Sequence, residues 1–142
     1  MKTVAQMLQL KPAGIIAIGP DAPVLEALKL LAEKDVGAVL VMDGPRLAGI
    51  VSERDYARKV ALKGKSSSAT PVREIMTEQV LCVTPQQTNE ECMALMTQMR
   101  ARHLPVIEGD KVIGMLSIGD LVKDAISEQK FIIDQLIHYI HQ

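Results

Sequence analysis

Gly49-Ile50-Val51-Ser52-Glu53-Arg54-Asp55 and Gly114-Met115-Leu116-Ser117-Ile118-Gly119-Asp120 are one motif written twice, 65 positions apart. The register holds without a gap from Ile15/Val80 to Leu62/Ser127. Pro20/Pro85, Glu26/Glu91, Leu30/Leu95, Val41/Val106 and Gly44/Gly109 are also identical pairs, while most others match only in apolar or polar character. Such a period marks two copies of one supersecondary unit, each burying its apolar face against the other. A unit of about 60 residues hides too little surface to be stable alone. The repeat therefore predicts two copies packed with pseudo-two-fold symmetry, and sites that come in pairs.

Working outward from the motif, each copy reads β-α-β-β-α. Ile15-Ile16-Ala17-Ile18 is a short apolar run that suits a buried strand, and Gly19-Pro20-Asp21-Ala22-Pro23 breaks it into a helix start. Val24, Ala27, Leu28 and Leu31 follow at helical spacing. The second copy starts its helix with the capping-box pattern Thr88-Asn89-Glu90-Glu91, ahead of Cys92, Met93, Leu95, Met96 and Met99, whose Met stripe reads as core. Val36 to Met42 is apolar throughout, as in a strand covered on both faces. Asp43-Gly44-Pro45-Arg46 and Glu108-Gly109-Asp110-Lys111 are hairpin turns in which glycine supplies a positive φ. The second helix of each copy starts at Ser52 or Ser117. The fold class is α+β, with repeat one over residues 1–63 including an N-terminal helical segment, a Gly/Ser-rich linker over 64–71, and repeat two over 72–142 including a C-terminal helix. Val4-Ala5-Gln6-Met7-Leu8 mirrors Val72-Arg73-Glu74-Ile75-Met76 at a spacing of 68.

Composition narrows the function. The 142 residues are one domain's worth, and 48% hydrophobic content is ample for a core. A net charge of −1 and a single Phe argue against nucleic acid as a partner. No apolar run approaches a membrane span, and the start shows no signal-peptide core, so no membrane association is expected. Cys82 and Cys92 lack metal or disulfide spacing and read as small buried side chains in a reducing cytoplasm. His138 and His141 lack a third ligand, so no metal is expected. Ile132, Ile133, Leu136, Ile137 and Ile140 form one helical face too apolar for water, to be covered by this body or by a second subunit.

The repeated motif carries the chemistry. Ser at the N-cap with Asp three residues on is a self-sufficient helix start, and the acid favours the positive end of the dipole. The same terminus can point N–H groups at an anion. A Ser hydroxyl can serve a phosphate and an Asp carboxylate both hydroxyls of a ribose, so capping and nucleotide binding both stand. No nucleophile or tuned acid–base pair accompanies the motif, so no enzyme activity and no catalytic cofactor are expected.

The two G-h-h-S-x-x-D motifs, Arg102-His103-Leu104-Pro105-Val106-Ile107 and Val72-x-x-Ile75-Met76-Thr77 together resemble a pair of cystathionine-β-synthase (CBS) domains, the Bateman module. The run from Ser52 to Val60 with Gly64-Lys65-Ser66-Ser67 is similar to stand-alone bacterial CBS pairs and their plant organellar relatives. The resemblance implies an adenosine-containing regulatory ligand (AMP, ADP, ATP, NAD(H) or S-adenosylmethionine) in clefts between the repeats. It also implies a homodimer, a flat disc, and regulation of another, unidentified protein. By the same resemblance Asp55 and Asp120 would hold ribose hydroxyls, and Ser52 and Ser117 would contact ribose or phosphate. Main chain near Ile16-Ala17 and Leu81-Cys82 would recognise adenine. Ala38 and its neighbours, and His103-Leu104-Pro105, would flank the base. Arg102 and His103 would reach phosphates, or else form a solvated strand edge. Arg54 stands where repeat two has Gly119 and would strengthen a phosphate contact. These differences predict unequal sites. The competing function is a scaffold or interaction module whose clefts are vestigial.

Overall fold

Gly44 and Gly109 turn the chain at φ 60° and 62°, each closing a β-hairpin of the same register. A computed structural model describes residues 2–141. In chain order the elements are α1 (Val4–Gln9), β1 (Ala17–Ile18), α2 (Val24–Lys34), β2 (Ala38–Asp43), β3 (Arg46–Ser52) and α3 (Glu53–Tyr56), then α4 (Asn89–Met99), β4 (His103–Glu108), β5 (Lys111–Ser117) and α5 (Ile118–Ile140). A π-helical turn, Ala57–Ala61, continues α3, and a 3-10 turn covers Val72–Glu74. The chain is α+β, as its repeat pattern predicts.

Two compact units result, and they do not divide the chain where the sequence repeat does. One is Ile15–Leu81; the other joins the chain up to Gly14 with the chain from Cys82 onward. The expected grouping put the N-terminal helical segment with residues 1–63 and residues 72–81 with repeat two. Backbone hydrogen bonds explain the different grouping. Val4 N–H donates to Gln87 O at 2.7 Å, Ala5 N–H to Pro85 O at 3.0 Å, and Asn89 N–H to Lys2 O at 3.0 Å. The same three bonds recur at the shifted positions: Val72 N–H to Ala22 O at 2.8 Å, Arg73 N–H to Pro20 O at 2.8 Å, and Val24 N–H to Thr70 O at 2.8 Å. Each repeat's leading segment thus packs on the other repeat's first helix. The stretch over residues 64–71 is structured rather than a plain linker. Thr70 is buried, and Ser67 O and Thr70 O accept from the first N–H groups of α2, whose N-cap Pro23 offers no side-chain bond. Asp21, expected at this helix start, instead pairs with Arg73 at 2.8 Å.

In the unit Ile15–Leu81, β1 runs parallel to β2 and β2 antiparallel to β3. The first four residues of β2 are buried, which is why that strand is apolar without alternation. Val24, Ala27 and Leu31 of α2 close over Val39, Val41 and Val51. Full burial of one such side chain contributes roughly 1.5–3 kcal/mol. In the other unit the first strand shrinks to a bridge, Val83 beside Val106. Cys92 and Met96 of α4 are buried there, whereas Met99, expected in the core, is 59% exposed. Helices α2 and α4 both end on a left-handed residue at equivalent positions, Asp35 and Arg100.

Candidate functional site

Both repeated motifs fold as a strand that ends in a capping box. Ser52 Oγ accepts from Asp55 N–H at 3.2 Å, while Asp55 Oδ2 accepts from Ser52 N–H and Oγ–H at 3.0 Å each. Ser117 and Asp120 repeat this at 3.2, 2.8 and 3.1 Å. The first helical N–H of each junction bonds back to the preceding strand entry: Glu53 to Gly37 O at 3.1 Å and Ile118 to Arg102 O at 2.9 Å. Capping is therefore present at both junctions, and both carboxylates are held rigidly where the helix dipole favours negative charge.

Across the hairpin, Ala38 pairs with Ser52 and His103 with Ser117. One junction thus gathers Ala38, Ser52, Arg54 and Asp55; the other gathers Arg102, His103, Ser117 and Asp120. Ala38 and Leu104 are wholly buried and Pro105 is buried, so their side chains belong to the core. Ile16 O accepts from Leu40 N–H at 3.0 Å, and Ala17 lies in β1. Leu81 ends the first unit and half-buried Cys82 begins the last segment of the second. Arg54 and Arg102 are exposed. Neither Cys82 nor Cys92 forms a disulfide, and burial pushes both thiols up, with Glu91 adding to the effect on Cys92.

The electrostatics of the junctions differ. Lys11 Nζ donates to Asp120 Oδ2 and to Met115 O, both at 2.8 Å. Burial would push the Asp120 carboxyl up, but the Lys11 and Ser117 donors outweigh it and hold the acid below the usual carboxylate range. Burial lowers the His103 imidazole; the charges of Lys11 and Arg102 lower it further, and Asp120 opposes them. At the other junction Lys59 Nζ sits 3.2 Å from Asp55 Oδ1 and donates to Ile75 O at 2.8 Å. Sequence reasoning missed both lysines. Lys59 carries a readable signal, an opposite charge four residues from Asp55 on one helix. Lys11 carries none.

A third polar cluster lies on the face of α5 one turn beyond Asp120. Asn89 Nδ2 donates to Asp124 Oδ2 at 2.6 Å and to Leu121 O at 2.9 Å, and Lys2 Nζ donates to Asp124 Oδ1 at 2.9 Å. Burial would raise the Asp124 carboxyl, yet the Asn89 and Lys2 donors hold it low. Farther along α5, Ile132, Ile133, Leu136, Ile137 and Ile140 are exposed in the single chain, so the stripe is not covered by this body. No helix among the described residues is long and apolar enough to cross a membrane.

A repeated unit, β-α-β-β-α in one copy and with its first strand reduced to a bridge in the other, with a capped carboxylate at each strand-to-helix junction, defines a class of small tandem-repeat modules. The CBS-domain sequence profile matches residues 13–62 and 72–126, and the chain belongs to the CBS-domain family. It is 42% identical over 125 residues to the mitochondrial CBS domain-containing protein CBSX3 of Arabidopsis thaliana, covering 84% of this chain and 61% of that protein. The chain thus spans less than two thirds of that relative's length. A solved CBS-domain protein from Burkholderia ambifaria is 56% identical with a TM-score of 0.87, covering 90% of this chain and 96% of that one. A CBS domain protein from Pyrobaculum aerophilum, solved in complex with AMP, shares the fold at 24% identity and a TM-score of 0.74, over 83% of this chain and 88% of that one.

Proposed function

We propose that the chain is a non-enzymatic regulatory module that binds an adenosine-containing nucleotide (AMP, ADP, ATP or NAD(H)) and passes its occupancy to a partner protein. The observation that carries the reading is the doubled Ser/Asp capping box, which holds a carboxylate ready at the end of a strand. A carboxylate accepts ribose hydroxyls through charge-assisted bonds, each worth roughly 1.5–3 kcal/mol. The complex of the Pyrobaculum aerophilum relative with AMP supports the ligand class. Two cysteines without a disulfide support a reducing compartment such as the cytoplasm.

Thermal-shift titration tests the reading. Adenosine compounds are expected to raise Tm, since a ligand at about 100 times its Kd adds about 2.7 kcal/mol, and guanosine analogues to raise it less. An unchanged melting curve at millimolar adenine nucleotide overturns it.

The exposed α5 stripe favours a second reading, an interaction module that pairs with another copy of this chain. Sedimentation at tens of micromolar then gives a dimer, and Ile133→Lys with Ile137→Lys gives a folded monomer. A monomeric wild type removes this reading.

A further inference from the structure

We infer that the π-helical turn after α3 and the loop that follows it form a contact with the surface of an anionic lipid bilayer. This is independent of the nucleotide reading. From Tyr56 to Arg73 the chain carries five cations and no acid, although its net charge is −1. Lys59 is paired with Asp55 and Arg73 with Asp21. Exposed Arg58, Lys63 and Lys65 have no ion pair among the described residues. In their midst Leu62 is 82% exposed, the most open large apolar side chain among the described residues. Repeat two has Lys123, Ser127, Glu128 and Lys130 at the matching positions, so neither the leucine nor the run of positive charge recurs.

The main chain holds Leu62 out. Val60 takes the core position, and its carbonyl accepts from Lys63 N–H at 3.2 Å and Lys65 N–H at 3.0 Å. Leu62 N–H donates to Ala57 O at 3.0 Å across the π-helical turn, and Gly64 reverses the chain at φ 65°. Beyond the loop, Ser66 O accepts from Thr70 N–H at 3.0 Å, so both sides are anchored. Ala57 and Ala61 are also exposed and widen the apolar tip. A helix C-terminus favours lysines by its dipole, but that does not account for the leucine. The residue types choose among the polyanions. Protein interfaces are depleted in lysine, and two of the three unpaired cations here are lysines. Single-stranded nucleic acid is held by stacking aromatics, whereas Tyr56 packs against the core. Leucine among flexible cations suits a bilayer surface, where the apolar side chain passes the headgroups and the cations stay at the phosphates. The expectation of no membrane association rested on spans and signal peptides, and a surface contact needs neither.

Flotation of the whole protein at low salt tests the inference, with vesicles of phosphatidylserine and phosphatidylcholine in equal parts. Binding is expected there and not on pure phosphatidylcholine, and added salt should weaken it. Each cation lost should weaken it about five-fold, so Lys63→Gln with Lys65→Gln costs about 25-fold. Leu62→Asn should cost about 10-fold or more. Lys34→Gln with Lys111→Gln, exposed cations elsewhere on the chain, should bind like wild type. All these side chains are exposed, and unchanged melting curves confirm that each variant folds. No binding to the anionic vesicles overturns the inference, as does an equal loss from the Lys34 and Lys111 pair. Equal binding to neutral vesicles would point to the apolar face of α5 and also overturns it. Full binding by Leu62→Asn would reduce the patch to a general anion contact, shared with duplex DNA or polyglutamate, and overturns the assignment to lipid.

Discussion

Asp55 is neutralised by Lys59, one turn along the same run of helix, whereas Asp120 is neutralised by Lys11, 109 residues earlier in the chain. Where repeat one has Lys59, repeat two has Asp124, which is paired in turn with Lys2 and Asn89. Yet the frame beneath is the same: matched hairpin registers, matched capping boxes and matched backbone bonds onto the first helix. The difference teaches that main-chain hydrogen bonds and turn geometry define this unit. The charges around its junction vary freely, provided each buried carboxylate finds donors. A held carboxylate without a donor would be costly, but the donor can come from anywhere the fold brings close.

Three comparisons sharpen that contrast. The largest effect is expected at Asn89, which stands where repeat one has Val24. Asn89→Val removes the amide donor from buried Asp124, a charge-assisted bond worth roughly 1.5–3 kcal/mol. Asn89 Oδ1 already lacks a protein partner, which offsets part of the loss, so about 2 kcal/mol is expected by denaturant unfolding. Adding Asp124→Leu should recover most of it. No recovery would mean the cluster acts through packing rather than charge.

Next come the motif glycines. A Cβ on Gly49 would lie 2.6 Å from the backbone oxygen of Thr77, which clasps Ile50 through two hydrogen bonds. The equivalent Cβ on Gly114 would meet the flexible side chain of Leu8, nearest at Cδ2, 2.8 Å away. Gly49→Ala should therefore cost about 1–2 kcal/mol and Gly114→Ala less than about 1, by the usual penalty for overpacking. Equal losses in thermal unfolding would contradict this.

The smallest effect is a pH slope. His103 titrates below its ordinary value of 6.5 in the folded chain. The unfolded chain then binds more protons, so stability is full above pH 6.5 and falls as the pH drops through the folded pKa. His103→Gln should flatten that part of the curve. Asp120 and Asp124, both lowered, act in the same sense at more acid pH, below the ordinary carboxylate value of 3.8. Repeat one has Ala38 at this position and contributes no such slope.

What could be read from the sequence was what is local. Ser52 to Asp55 and Ser117 to Asp120 are capping boxes because the bond pattern spans three residues, and Gly44 and Gly109 turn hairpins because the conformation needs them. The 65-residue period carried the β-α-β-β-α order, although the first strand of repeat two proved to be a single bridge at Val83. Non-local partners were not legible. Nothing near Lys11 points to Asp120. The small, polar composition of residues 64–71 conceals that Ser67 and Thr70 carbonyls finish a helix they do not adjoin. The spacing of Met99 put it on the core face of α4, but the helix ends one residue later, at Arg100, and the side chain is left exposed.

The exchanged leading segments also order events on the ribosome. Helix α1 is made first, yet β5, against which Leu8 rests, follows about a hundred residues later. At the usual synthesis rate of about 5–20 residues per second, α1 waits roughly 5–20 s for its partner. A six-residue helix is far too short to persist alone in water over that interval. The unit Ile15–Leu81, by contrast, is contiguous, so all of its own partners are made before synthesis reaches Cys82. Synonymous changes that slow translation beyond Leu81 should therefore prolong exposure of Val4 and Met7 without touching the folded protein.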